Sequence, residues 1–263
     1  MAKKQVKRKS LKELNLTSRF LYDEVMEDPE TNREALSIIF GREIPLLTKN
    51  ESEKELRVSP LIRSIRMDMV SVDAEGIVYN SEMQGIWKSD LEKRSRYNQA
   101  LLDTSLLEPG IPNYNLLNDS YIILIAPFDM FGYRKYCYTF HPECEEVPGL
   151  RLEDGATRIF LNTRGENDDE VSKELADFLH YLEDTTDERA EASGSERIKK
   201  IHERVRKVKQ SEEVGVKYMR AWEEKYYERQ EGREEGRAEG LLRLISQVQK
   251  KVSKGKSLEV SAD

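Results

Sequence analysis

Apolar and polar positions alternate most clearly between residues 66 and 84, where the pattern predicts two short strands joined by a tight turn. Met67 opens an apolar run in the first strand, and Ile77-Val78-Tyr79 opens the second. Between them, Asp73-Ala74-Glu75-Gly76 has the composition of a hairpin turn, because glycine takes a positive φ without steric penalty. The segment is therefore predicted to be a β-hairpin.

Elsewhere the hydrophobic periodicity switches between that of helices and that of strands. Helices are predicted over residues 19–27, 30–40, 90–107 and 172–184. Strands are predicted over residues 60–65, 121–128, 133–140 and 157–162, and a polar linker over 48–57. This succession predicts the α/β class: a mixed central sheet flanked by helices, whose strand–helix–strand portion crosses over with the right-handed sense.

Composition and charge divide the chain into a basic disordered leader (1–13), a folded domain (14–186) and a charged helical tail (187–263). Residues 21–186 carry a net charge of −16, whereas residues 1–20 and the tail carry +6 and +3. An acidic domain is unfavourable for DNA binding, because neutralisation of phosphates supplies most non-specific affinity. The basic ends either supply phosphate contacts or are plain solvated segments.

Overall composition restricts the class of protein. The mean hydropathy is −0.72 and 35% of the residues are charged, so the apolar core must be concentrated in one part of the chain. No apolar run reaches membrane-spanning length, and the N-terminal sequence lacks the apolar segment of a signal peptide. Cys137 and Cys144 form neither a disulfide framework nor a metal-binding pattern. We therefore expect a cytoplasmic protein that does not contact membranes.

Two carboxylates of the predicted hairpin lie where strands rarely place them. If the turn centres on residues 74 and 75, Asp68 lies opposite residue 81 or 82, and Gln84 points to the same side as Glu82. The two carboxylates, the backbone carbonyl of Met83 and water would form an oxygen-rich site suited to Mg²⁺. The alternative is a half-exposed hairpin whose acidic side chains merely face water.

The order of several short motifs resembles the PD-(D/E)XK nuclease superfamily, and more closely its Rpn-like branch, the recombination-promoting nucleases or transposases of bacteria. In that branch a glutamine replaces the usual lysine, as Gln84 does here. The matching segments are L-T-S-R-F-L-Y-D-E-V-M-E-D-P-E (16–30), R-M-D-M (66–69), Y-N-S-E-M-Q (79–84), K-R-S-R-Y-N-Q-A-L-L (93–102) and Y-I-I-L-I-A-P-F-D-M-F (121–131). Each motif is weak singly, but their order and spacing are fairly specific.

This resemblance implies a restriction-endonuclease-like fold and a metal-dependent DNA endonuclease that acts in transposition or recombination. Asp68 and Glu82 would bind Mg²⁺ or Mn²⁺, which polarises the scissile phosphodiester and lowers the pKa of the attacking water. Gln84 would orient that water. Because its amide carries no charge, it cannot stabilise the transition state as a lysine does, and a slow enzyme is expected.

The resemblance also implies contacts outside the metal site. The residues implied to bind DNA phosphates are Arg66, Arg94, Arg96 and Tyr97. For each arginine, the alternative is an ion pair on an acidic domain. Ser18 and Arg19 stand where the family commonly has acids, so Asp23 or Glu24 is the substitute for an auxiliary acidic ligand. These departures leave a second hypothesis open, a catalytically degenerate binding or regulatory module that acts through its tail.

The tail contains glycines at every fourth position, Gly232, Gly236 and Gly240, which fall on one face of a helix. Each glycine costs up to about 1 kcal/mol of helix stability relative to alanine. Such a face permits close approach of a second helix, which makes a homodimer through the tail one hypothesis. The other is an exposed helix of marginal stability.

Overall fold

The fold is taken from a computed structural model that describes residues 8–56, 65–107, 110 and 112–253. The chain forms two compact units, one ending at Ser211 and the other beginning at Glu212. The first unit contains a six-stranded mixed sheet with flanking helices. The prediction of the α/β class is confirmed.

Seven α-helices lie in the described part of the chain: α1 (Arg19–Met26), α2 (Pro29–Phe40), α3 (Leu91–Leu106), α4 (Lys173–Glu183), α5 (Asp187–Ser193), α6 (Glu196–Gln210) and α7 (Glu212–Ser253). The strands of the sheet are β1 (Leu47–Leu56), β2 (Ile65–Asp73), β3 (Val78–Met83), β4 (Ser120–Ala126), β5 (Cys137–Phe140) and β6 (Ala156–Asn162). Their spatial order is β1-β2-β3-β4-β6-β5, with β3, β4 and β6 parallel and the other neighbours antiparallel. All four predicted helices are confirmed to within one residue at each end.

Local sequence explains where α2 begins and ends. Asp28 caps its first turn by accepting the backbone N–H of Thr31 at 2.9 Å, and Pro29 occupies the first helical position, where no N–H is needed. Gly41 ends the helix with a φ of 62°, a conformation that a side chain would strain. Helix α4 begins in the same way, because the Ser172 hydroxyl accepts the backbone N–H of Leu175 at 3.1 Å, whereas the N-cap residues of α1 and α3 make no side-chain hydrogen bond.

The predicted hairpin is confirmed as β2 and β3. Gly76 has a φ of 84°, and the Asp73 carboxylate accepts the backbone N–H groups of Glu75 and Ile77 at 2.9 and 3.0 Å. These bonds close the turn and fix the register of the two strands. The register in turn decides which residues of β2 and β3 meet.

The prediction of a polar linker over residues 48–57 is wrong, because β1 occupies most of it as an edge strand. Its polar side chains are satisfied by tertiary contacts: Asn50 donates to the carbonyls of Met26 and Glu27 at 3.0 and 2.8 Å and accepts from Ser71 at 2.6 Å. Charged residues are also common on edge strands, where they discourage pairing with other chains. The predicted strand over 60–65 lies outside the described residues except for Ile65, which opens β2.

The first unit is longer than the predicted domain of residues 14–186. Helix α6 packs against α1 and α2 and buries its apolar side chains, which are Ile198, Ile201, Val205 and Val208. At the other end, Leu11 lies buried in a short 3₁₀ turn within the predicted leader. The boundary between the two units therefore falls after Ser211. The sequence of α6 is highly charged, but one face of the helix is apolar and buried. Among the described helices, none has the length and apolar character needed to cross a membrane.

Candidate functional site

Asp68 on β2 and Glu82 on β3 lie opposite each other. The observed antiparallel register pairs Met69 with Ser81, and its continuation by one residue pairs Asp68 with Glu82. Residues directly opposite in such a pair lie on the same face of the sheet, with Cβ atoms about 5 Å apart. Asp68 has no exposed surface and Glu82 is 9% exposed. The two carboxylates predicted from the hairpin are thus adjacent and buried, rather than facing water.

Helix α1 contributes the side chains that surround Asp68. The Arg19 guanidinium forms an ion pair with Asp68 Oδ1 and lies 3.5 Å from Asp23 Oδ2. Even so, neither oxygen of Asp68, nor Oδ1 of Asp23, accepts a hydrogen bond of regular geometry from any residue that the structure describes. Buried carboxylate oxygens without such donors are rare, and at Asp68 the charge of Arg19 is the main compensation. This is where the site has unused capacity to bind a cation or a proton.

Burial and neighbouring charges raise the pKa of both acids. Burial is the main cause that raises the pKa of Asp68 to about 8, and the negative charges of Asp23 and Glu82 add to it. The Arg19 guanidinium and the backbone N–H of Met83 oppose the shift only in part. Burial likewise raises the pKa of Asp23 to about 7, against the opposing effect of Arg19. Without a bound cation, the raised pKa favours the protonated form of Asp68, in opposition to the ion pair with Arg19.

Helix α3 provides the partners of Glu82 and Gln84. Arg94 forms an ion pair with Glu82 Oε1, and the same guanidinium nitrogen donates to Gln84 Oε1 at 2.7 Å. One turn further along the helix, Asn98 donates to Glu82 Oε2 at 3.4 Å. The Gln84 amide nitrogen donates to the backbone carbonyl of Ile86. The Gln84 amide is therefore held at both ends beside Glu82.

The residues at the centre of this site do not balance in charge. Among the side chains that the structure describes, three carboxylates, those of Asp23, Asp68 and Glu82, converge with two guanidinium groups, those of Arg19 and Arg94. When all are ionised, one negative charge is left over in a buried place, where its cost is high. A proton on Asp68 removes that excess, and a bound divalent cation would do so as well.

The other predicted site residues on α3 have different surroundings. Arg96 is exposed on α3, whereas Tyr97 packs against the apolar cluster that contains Met67 and Val70. The Arg66 side chain lies outside the described residues. Of the two predicted phosphate-binding arginines whose side chains the structure describes, Arg94 and Arg96, Arg94 lies at the site, where it pairs with Glu82 and Gln84.

Of the two candidate auxiliary acids, Asp23 is the one whose charge acts on Asp68. Glu24 is also buried, but on another side of α1, where its backbone carbonyl accepts from Arg204 at 3.4 Å. Two residues at the site, Arg19 and Asn98, were not predicted as functional. Each stands four residues from a predicted site residue in a helix, Arg19 before Asp23 and Asn98 after Arg94, and this spacing is the signal that could have found them.

The side chains that could hold a metal are the pair Asp68 and Glu82. Within the described ranges, no group of three or more His, Cys, Asp and Glu side chains is arranged to bind a metal ion. A protein site for Mg²⁺ commonly uses one or two carboxylates and keeps several waters, so a pair meets the minimum. The backbone carbonyl of Met83, between Glu82 and Gln84, is the remaining predicted ligand.

Comparisons of the chain with known protein families, with curated proteins and with solved structures find no match. The resemblance to the Rpn-like nucleases therefore stays a prediction from the motifs.

Proposed function

We propose that this protein is a metal-dependent DNA endonuclease with a restriction-endonuclease-like fold, related to the Rpn-like nucleases. The observation that carries the proposal is the buried pair of Asp68 and Glu82 on opposing strands, with Gln84 held beside it. The mixed sheet flanked by α1 and α3 supports it, since both helices direct side chains at the pair.

The donor set fits Mg²⁺ or Mn²⁺. Carboxylate oxygens are the ligands that these hard cations prefer, and both oxygens of Asp68 lack regular hydrogen-bond donors in the described part of the chain. A cation held by Asp68 and Glu82 would polarise the scissile phosphate and lower the pKa of the attacking water. It would also favour the ionised form of Asp68 over the protonated one.

The other residues of the site bind, orient and compensate charge. Arg94 holds the oxygen of the Gln84 amide, which leaves the amide in a fixed orientation from which it can position a water molecule. Arg19 keeps Asp23 and Asp68 close together despite their like charges. Since Gln84 cannot donate positive charge, catalysis rests on the cation and on positioning, and we expect slow turnover.

The test is nicking of supercoiled plasmid in Mg²⁺ or Mn²⁺. The Glu82→Gln variant is expected to cut at least about 100-fold more slowly than the parent, because loss of a cation ligand removes several kcal/mol of transition-state stabilisation. Glu75→Gln, which changes an exposed acid in the turn of the same hairpin, should cut at the parent's rate. Equal rates for all three proteins would show that the nicking does not come from this site.

A second function has an observation in its favour. The ion pairs of Arg19 with Asp68 and of Arg94 with Glu82 already compensate both acids, as expected for a catalytically degenerate module that keeps the fold. In that case the acids stabilise the fold and the tail acts on partners. Calorimetry distinguishes the two: a folded protein without saturable Mn²⁺ binding favours the module, and Mn²⁺ binding that Glu82→Gln abolishes favours the nuclease.

We also propose that the tail joins two copies of the chain. Helix α7 is continuous through its glycines, and a Cβ placed on Gly232, Gly236 or Gly240 would meet nothing within 4 Å. Farther along, α7 exposes large apolar side chains, namely Leu241, Leu242, Leu244 and Ile245. A smooth glycine face followed by an apolar segment suits helix–helix contact. A homodimer would place two sites to cut both strands of a duplex.

Sedimentation tests the homodimer. The full chain is expected to sediment as a dimer, and a chain that ends at Ser211 as a folded monomer, because the first unit keeps α6 and its buried contacts. Circular dichroism of the shortened chain controls for its folding. A monomeric full chain at micromolar concentration would rule out the dimer. If the tail only supplies lysine and arginine to phosphates, the shortened chain shows a weaker salt dependence of DNA binding and the same oligomeric state.

A further inference from the structure

The loop between β3 and α3 exposes two large apolar side chains directly beside the candidate site. Ile86 is 67% exposed and Trp87 is 59% exposed, although tryptophan is usually mostly buried. The loop is fixed to the site by the hydrogen bond from the Gln84 amide to the Ile86 carbonyl. Trp87 follows Gln84 by three residues, so its Cα lies within about 11 Å of that of Gln84. The backbone of Trp87 thus lies near the margin of the site.

Cationic side chains accompany this apolar pair. Lys88, Lys93 and Arg96 are all exposed, and with Asp90 and Glu92 counted the net charge of residues 85–97 is +2, or +1 without Arg94, which is paired with Glu82. The sign is the opposite of that of residues 21–186, which carry −16 as a whole. The acidic domain as a whole repels a polyanion, but a cationic segment on its surface attracts one locally. This segment is therefore complementary to a phosphate backbone at the edge of the site.

We propose that Trp87 stacks on an unpaired base and that this loop makes the protein a binder of single-stranded DNA. The faces of bases in a duplex are covered by their neighbours, so an exposed indole can stack only where bases are free. Lys88 directly follows Trp87 in the chain and can meet the adjoining phosphate. The inference rests on the proposed function, for which it gives the substrate class: DNA with unpaired bases at the site of cleavage.

The chain offers a direct spectroscopic test, since it contains only two tryptophans, Trp87 and Trp222. The full-length Trp222→Phe variant leaves Trp87 as the sole indole. In EDTA, where no cleavage takes place, addition of a thymidine oligonucleotide of about 20 nucleotides is expected to quench its fluorescence saturably. A matching duplex should quench it far less. Equal quenching by the duplex, or no quenching by the single strand, would overturn the proposal.

Binding of a fluorescein-labelled form of that oligonucleotide, followed by anisotropy in EDTA, tests the energetic role of the indole. Trp87→Ala is expected to weaken binding about tenfold, whereas Trp87→Phe, which keeps an aromatic face, loses much less. Both changes are at an exposed position, and thermal unfolding should show unchanged stability. Equal affinity for the parent and Trp87→Ala, or affinity for a uridine oligonucleotide alone, would contradict the proposal.

The outcomes separate this inference from the proposed function. If the protein nicks plasmid through Glu82 but binds single strands independently of Trp87, the nuclease proposal is supported and the stacking proposal is contradicted. If the protein binds single strands through Trp87 but never cuts DNA, the stacking proposal is supported and the nuclease proposal is contradicted. If neither occurs, the exposed pair is more simply a contact for another protein, and the proposal fails.

Discussion

At pH 8 and in the absence of metal, the free energy of unfolding of the Asp68→Asn variant is expected to exceed that of the parent by up to about 5 kcal/mol. The pKa of Asp68 is raised to about 8 by burial and by neighbouring acids, whereas in an unfolded chain it is about 3.9. The folded protein therefore holds a proton that the unfolded chain releases. The stability linked to that proton is complete below about pH 4 and is lost as the pH rises through about 8. Asparagine cannot ionise, so the variant does not lose this stability as the pH rises.

Urea unfolding at pH 5 and pH 8, with EDTA present, measures the difference. The parent should lose stability between the two pH values, and Asp68→Asn should lose distinctly less. Arg19 keeps Asp23 as a partner in the variant and is itself 42% exposed, so the substitution does not leave it buried and unpaired. Glu75→Gln is the control and should follow the parent. A destabilised Asp68→Asn variant with an unchanged pH dependence would mean that the ion pair with Arg19 outweighs burial.

The same titration governs any metal bound at this site. A cation competes with the proton for Asp68, so its affinity should rise with pH, by up to about tenfold per pH unit below about pH 8, and level off above it. The sign follows from the raised pKa, because only the ionised carboxylate is a ligand. A metal site built on an ordinary surface carboxylate would show no such dependence near neutral pH.

The sequence predicts the hairpin well because its information is local. Alternating apolar residues, the turn at Gly76 and the period of two along a strand together place Asp68 opposite residue 81 or 82, and the observed register agrees. The starts of α2 and α4 and the end of α2 are equally local, since the caps Asp28 and Ser172 and the glycine Gly41 set them. Neither inference depends on knowing what packs against the hairpin.

The rest depends on tertiary contacts. β1 is polar, and its Asn50 is satisfied by the end of α1 and by Ser71, neither of which is near it in sequence. The sequence of helix α6 is typical of a solvated charged segment, but in the structure its apolar face packs against α1 and α2. The partners of the site acids follow the same rule, since Arg19 reaches Asp68 across 49 positions of the chain. The sequence thus predicts which acids meet, but not how their charges are compensated.

The Arg94→Met variant is expected to lose about 2 kcal/mol of stability without metal and to bind Mn²⁺ about tenfold more tightly. Both effects follow from the ion pair with Glu82, whose side chain is only 11% exposed. Removal of the guanidinium leaves the carboxylate with the weaker donor Asn98, which destabilises the folded protein. It also removes the competitor that a cation must displace from Glu82. Thermal unfolding with and without Mn²⁺, together with calorimetry, measures both effects.

Arg96→Met is the matched control, because the exposed Arg96 lies two residues along the same helix. It should change neither stability nor Mn²⁺ affinity. In Arg94→Met, Mn²⁺ should restore the lost stability, yet plasmid nicking should fall below the parent's rate, because the Gln84 oxygen loses its donor. Tighter binding with slower cleavage is the result expected of a nuclease in which Arg94 orients Gln84. A destabilised variant that Mn²⁺ does not rescue would instead identify the pair as part of the scaffold, and the degenerate module would then be the better account of this fold.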